Sequence, residues 1–171
     1  PRKFGSFEVP IAWLVTFQSL SVIVLASAMA ALWTKMGKRQ PSSQMKFALA
    51  ALVAGVGYLA FIPFLSTGTP MPIVVLMVIL VLLTVAELLL SPISLSFATK
   101  VAPEAFKTQM VSFNFLSLSL GFTLGGVLGD KLYTAETATS YYIMLAGMGI
   151  GSAVVLFVMM PMLKRLLHDV D

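Results

Sequence analysis

The stretch VVLMVILVLLTVAELLL, inside an apolar run from Ile73 to Phe97, is hydrophobic on every face and carries one charge, Glu87. About 20 helical residues cross the roughly 30 Å hydrocarbon of a bilayer, so a run of this length is a spanning segment. Without water to pair with peptide groups, such a segment must satisfy its own hydrogen bonds, as a helix does. A barrel strand would alternate in polarity, and this run does not. Further apolar runs extend from Ile11 to Trp33, Phe47 to Leu65, Met110 to Leu128 and Tyr141 to Leu163. A content of 58% hydrophobic and 11% charged residues, with a mean hydropathy of +0.97, excludes a soluble domain. The expectation is an all-α membrane protein with five transmembrane helices.

The loops between these runs set the expected orientation through their Lys and Arg. One set of ends holds Lys35, Lys38, Arg39 and Lys46, then Lys100 and Lys107 against Glu104, then Lys164 and Arg165 in the tail. The opposite ends hold Arg2, Lys3 and Lys131. Positive residues collect on the cytoplasmic side, so the segment is expected to start outside and to end in the cytoplasm of a plasma (inner) membrane, as a multi-pass chain. Orientation thereby accounts for the net charge of +4, and no nucleic-acid partner is implied. Membrane lipid is an expected partner, although three or four basic tail residues are fewer than a dedicated anionic-lipid site usually carries.

Pro1 heads a chain that is expected to begin outside without a signal-peptide pattern, so the sequence reads as a piece of a longer protein. With no cysteine, disulfides, thiolate metal sites and cysteine nucleophiles are excluded. His168, the only histidine, falls in the solvated tail, and Glu87 is the only acid at depth. Neither a Ser/His pair nor an aspartyl dyad can be assembled inside the membrane, so no enzyme is expected. GFTLGGVLGD lacks the Lys-Ser/Thr of a phosphate loop and lies within a span. Gly121, Gly125 and Gly129 share a helix face, Gly147 and Gly151 repeat the spacing, and the fourth and fifth spans are expected to pack through these faces.

Polar residues at depth are more informative. The first span carries Thr16, Gln18, Ser19 and Ser21; the third Thr84, Glu87, Ser91, Ser94 and Ser96; the fourth Ser112, Asn114, Ser117 and Ser119. Glu87, Ser91 and Ser94 share a helix face, and so do Asn114 and Ser117. Pro92 has no amide hydrogen, so the Leu88 carbonyl loses its usual donor close to Glu87, as happens in cavity-lining helices. Most hydroxyls have an ordinary explanation in bonds within or between helices. For Glu87 the ordinary explanation is an ion pair, yet nothing basic lies at depth in these five spans. A carboxylate at the bilayer centre costs roughly 2.5–3.5 kcal/mol on insertion scales, so it must neutralise or find a cation on other helices or on a substrate.

The block AELLLSPISLSFATKVAPEAFKTQMVSFNFLSLSLGFTLGG closely resembles the tenth and eleventh helices of proton-dependent oligopeptide transporters, a branch of the major facilitator superfamily. Their pattern runs roughly G-E-L-x-L-S-P-x-G-L-S, then K-x-A-P, then Q-M-x-G-x-W-F-L. FQSLSVIVLASAMAALWTKMGKR is similar to the family's eighth helix and KFALAALVAGVGYL to its ninth, so the resemblance covers helices eight to twelve.

The resemblance implies a symporter that uses a proton gradient, without a cofactor, to import di- and tripeptides by alternating access. The tenth-helix glutamate, matching Glu87, would face the central cavity and hold the peptide amino group, exchanging that contact for a lysine on N-terminal helices that lie outside this sequence. Ser91 matches the nearby serine, and Gln18, Ser21 and Asn114 fall on cavity-lining helices. Two positions depart from the family. The eighth-helix pattern F-Q-S-x-N-P gives way at Ser21 and Val22, and Asn114 stands where a tryptophan commonly packs the pocket. A roomier, more polar pocket is expected. A carrier of another substrate, such as a drug or organic cation, and a structural module with Glu87 in a buried ion pair remain as alternatives.

Overall fold

The computed structural model describes residues 3–4, 7–8, 10–134 and 136–166, with side chains at 10, 12–134 and 136–162; His168 and Arg2 lie outside the described residues. A two-strand antiparallel hairpin, β1 (Lys3–Phe4) and β2 (Phe7–Glu8), precedes the helices, with Lys3 opposite Glu8. The helices are α1 (Ile11–Met36), α2 (Ser43–Leu59), the short α3 (Ile62–Ser66), α4 (Ile73–Val101), α5 (Lys107–Leu132) and α6 (Ala138–Leu166). Together α2 and α3 make one span, so five segments are long and apolar enough to cross a membrane.

Each helix outruns the apolar stretch that announced it. α4 has 29 residues, which at 1.5 Å per residue gives about 44 Å, more than the roughly 30 Å of hydrocarbon. The extra turns carry charges and caps, such as Lys100 at the end of α4 and Ser42, whose hydroxyl caps α2 by accepting from the Met45 amide. α4 continues through Pro92.

Packing rests on small residues. α2 lies between α6 and α4, α1 packs on a further side of α4, and α5 packs along α4. The covered positions include Ala48, Ala50, Ala86, Ala98, Ala146 and Ala153, which let backbones approach closely where lipid supplies no hydrophobic drive between helices. A Cβ built on Gly55 would stand 2.9 Å from the Ile150 amide nitrogen and 3.1 Å from the Ala146 carbonyl oxygen, and one on Gly57 would stand 2.8 Å from a Leu83 methyl. The tight crossing is therefore between α2 and α6. The expected α5–α6 packing through glycine faces does not form along the helices: Gly121, Gly125, Gly147 and Gly151 have nothing within 4 Å of an added Cβ, and only Gly129, at the end of α5, comes near α6, its added Cβ lying 3.4 Å from the Tyr141 hydroxyl. α5 buries none of its residues.

Chain direction sorts the two ends of the bundle. Phe47, early in α2, meets Phe97, late in α4, edge to face with centroids 5.9 Å apart. At the other end Tyr58 and Phe61 meet Tyr142 at the start of α6. All four tyrosines of the chain join this second cluster, with Tyr133 and Tyr141 completing it.

Candidate functional site

Glu87 lies in the middle of α4 on its open side, and no hydrogen bond or ion pair reaches it from the described residues. Ser91, one turn on, is open too. The hydroxyls of the neighbouring helices do not turn toward the acid. They bond back onto their own turns, as in Ser21 to the Phe17 carbonyl at 2.7 Å and Ser117 to the Phe113 carbonyl at 2.9 Å, and on α4 itself Thr84 does the same to Leu80 at 2.9 Å. The ordinary explanation thus holds for these side chains, and it leaves Glu87 distinct from them.

α1 contributes a half-buried stripe, Leu14, Phe17, Gln18, Ser21, Leu25 and Met29, at the spacing of a helix face. Since α4 is the long helix against which α1 packs, Gln18 and Ser21 belong to the side that meets α4. No hydrogen bond joins either of them to Glu87.

Asn114 is half-buried and lines a groove of about 340 Å³ with Ser94, Ser117, Phe47, Phe97, Ala98, Val101, Met110 and Phe113. Ser94, Ala98 and Val101 lie 7, 11 and 14 residues after Glu87, which keeps them on its helix face while carrying them about 10 to 21 Å along the axis. The groove therefore continues the Glu87 face toward the end of α4. The structure gathers Ser94, Asn114 and Ser117 in one place, with the Ser94 hydroxyl donating to the Ser91 carbonyl at 2.9 Å, and it leaves Glu87 further back along the same face. Sequence spacing pairs Ser94 with Glu87 and Ser117 with Asn114, but it gives no sign of Phe47, which comes from α2 and closes one wall. Among the described residues no group of three or more His, Cys, Asp or Glu is placed to hold a metal ion.

Five apolar helices packed through alanine and glycine, with a lone carboxylate at mid-span, define a polytopic membrane protein. Residues 1–145 match the POT family, and the chain belongs to it. It is 30% identical over 170 residues to the uncharacterized transporter YclF of Bacillus subtilis (strain 168), covering 98% of this chain and 34% of that protein. It is 30% identical over 174 residues to a di-/tripeptide transporter of Lactococcus lactis subsp. cremoris, covering 99% and 35%. A mutant of peptide transporter POT crystallised with alafosfalin matches with a TM-score of 0.87 at 32% identity, over 97% of this chain and 34% of that one. The chain spans about a third of the length of these relatives.

Proposed function

We propose that this chain is the C-terminal part of a proton-coupled importer of di- and tripeptides, its spans serving as helices eight to twelve. In this reading Glu87 faces the central cavity and receives the peptide amino group, with Ser91, Gln18 and Ser21 beside it and Asn114 further along the same wall. The α1 N-terminus lies outside and the α6 C-terminus in the cytoplasm. The observation that carries the reading is Glu87 itself, a carboxylate in the middle of a long apolar helix with no cation or donor among the described residues. A carboxylate in a membrane span is costly without a partner, and a peptide ammonium that pairs with it would offset that cost. The relatives named for di- and tripeptides support the choice of substrate.

The remaining helices, and the proton-coupling residues on them, belong to the rest of the carrier. The test is uptake of labelled di- and tripeptides by the complete carrier in liposomes under an inward proton gradient. Wild type is expected to accumulate peptide, and Glu87→Gln at equal reconstituted protein to lose gradient-driven uptake. Folded wild type that ignores peptides but accumulates an organic cation would replace the substrate assignment, the departures at Ser21 and Asn114 then marking the altered pocket.

A further inference from the structure

The two ends of the bundle differ in charge. The end that joins α1 to α2 and α4 to α5 exposes Lys35, Lys38, Arg39 and Lys100. Its one acid among the described residues, Glu104, is already paired with Lys107. Asp130, Lys131 and Glu136 stand at the opposite end. No hydrogen bond or ion pair engages Lys35, Lys38 or Arg39 among the described residues.

The loop that presents these three cations is held in place by a clasp. The Gln40 amide donates to the Trp33 carbonyl at 2.8 Å and accepts from the Lys46 ammonium at 3.0 Å, and that ammonium lies 4.4 Å from the centroid of the Trp33 ring. Gly37 turns the chain at the end of α1 with φ +50°, a conformation that a side chain would strain. Lys46 thus belongs to the clasp, while Lys35, Lys38 and Arg39 are displayed beyond a half-buried tryptophan at a helix end, the level at which tryptophan sits in a bilayer.

From this juxtaposition we infer that the α1–α2 loop is a preformed site for anionic phospholipid headgroups, with Lys35, Lys38 and Arg39 meeting the phosphates of the adjacent leaflet and Trp33 fixing their depth. Three cations are few for a floppy tail. They suffice here because the loop is ordered before lipid arrives, so binding loses less conformational freedom. A soluble phosphate is the weaker occupant: the Ser42 hydroxyl caps the nearest helix start, and all three cations are exposed side chains. The inference is independent of the transported substrate.

The test uses the complete carrier, delipidated in neutral detergent and titrated with phosphatidylglycerol or phosphatidylcholine in mixed micelles, or with inorganic phosphate, while its melting temperature is followed. Phosphatidylglycerol is expected to raise the melting temperature where phosphatidylcholine and phosphate do not. The combined variant Lys35→Gln, Lys38→Gln, Arg39→Gln should need at least about tenfold more phosphatidylglycerol, since each surface cation contributes about fivefold in affinity. Lys131→Gln, at the opposite end, should titrate like wild type. Equal titrations of wild type and the combined variant would overturn the site, and an equal response to inorganic phosphate would overturn the lipid assignment. Should the combined variant fail to fold, native mass spectrometry of phosphatidylglycerol retained by each single variant reads the same question, and undiminished retention in all three would refute it.

Discussion

The Cα of Gly55 occupies the space that a side chain on Gly149 would need: a Cβ built there would lie 2.8 Å from that atom and 3.0 Å from the Ala51 carbonyl oxygen. Both obstacles are backbone, so relief requires α2 and α6 to separate. Gly149→Ala is expected to destabilise the carrier by about 1–3 kcal/mol, the range for overpacking a tight contact. Gly147→Ala meets open space and should change stability by no more than the roughly 1 kcal/mol that alanine gains over glycine in a helix. Thermal unfolding of the two variants in one detergent distinguishes them, and equal melting temperatures would contradict the crossing.

This pair also marks where the sequence stops being legible. The five spans could be read directly because an apolar run of spanning length has one stable backbone in lipid. Their ends could not, since hydropathy reports the hydrocarbon while the helix continues into the interface. The spacing of Gly147 and Gly151 suggested a packing face, but Gly149, about 200° around the same helix from Gly147, makes the contact. Spacing identifies which residues share a face; the rotation of the helix in its bundle decides which face is used. At the candidate site, Glu87 was legible because its charge is costly wherever the helix turns. Phe47 was not, because its place in the groove depends on how α2 lies across α4.

Gln44 is buried at the start of α2, with neither its amide nitrogen nor its carbonyl oxygen bonded. Leaving such groups unsatisfied costs roughly 1–3 kcal/mol, whereas methionine keeps the length of the side chain and removes both polar atoms. Gln44→Met is expected to raise stability by about 1–2 kcal/mol in thermal unfolding. A fall in melting temperature would show that the amide has a partner in the complete carrier.

Tyr142 holds together the aromatic cluster at the far end of the bundle. Its ring stacks on Phe61 at 4.6 Å and stands edge to face with Tyr133 and Tyr141, thereby tying the ends of α3 and α5 to the start of α6. No hydrogen bond to its hydroxyl occurs among the described residues. The rings therefore carry the contact, each aromatic pair contributing about 0.5–1.5 kcal/mol beyond buried area. Tyr142→Phe should unfold within about 0.5 kcal/mol of wild type, and Tyr142→Ala about 2–4 kcal/mol more easily. A large effect of the phenylalanine variant would mean that the hydroxyl, and not the ring, secures the cluster.

Asn114 offers the sharpest test of whether the groove lies on the substrate path proposed above. Its amide has no hydrogen bond to the described residues, and the groove of about 340 Å³ is otherwise walled by aromatic and aliphatic side chains with two serines. An indole in its place would fill much of that space and present one donor instead of a donor and an acceptor. If the groove accepts a substrate side chain, Asn114→Trp should lower uptake of dipeptides with a bulky second residue about tenfold relative to alanyl-alanine, equivalent to about 1.4 kcal/mol of overpacking. Asn114→Ala should leave room for bulk and selectively weaken dipeptides ending in glutamine or asparagine, because the lost amide no longer completes their hydrogen bonds. Parallel competition assays against labelled alanyl-alanine measure both ratios in the same vesicles. Unchanged ratios in both variants, with alanyl-alanine still transported, would remove the groove from the substrate path while leaving the role proposed for Glu87 intact.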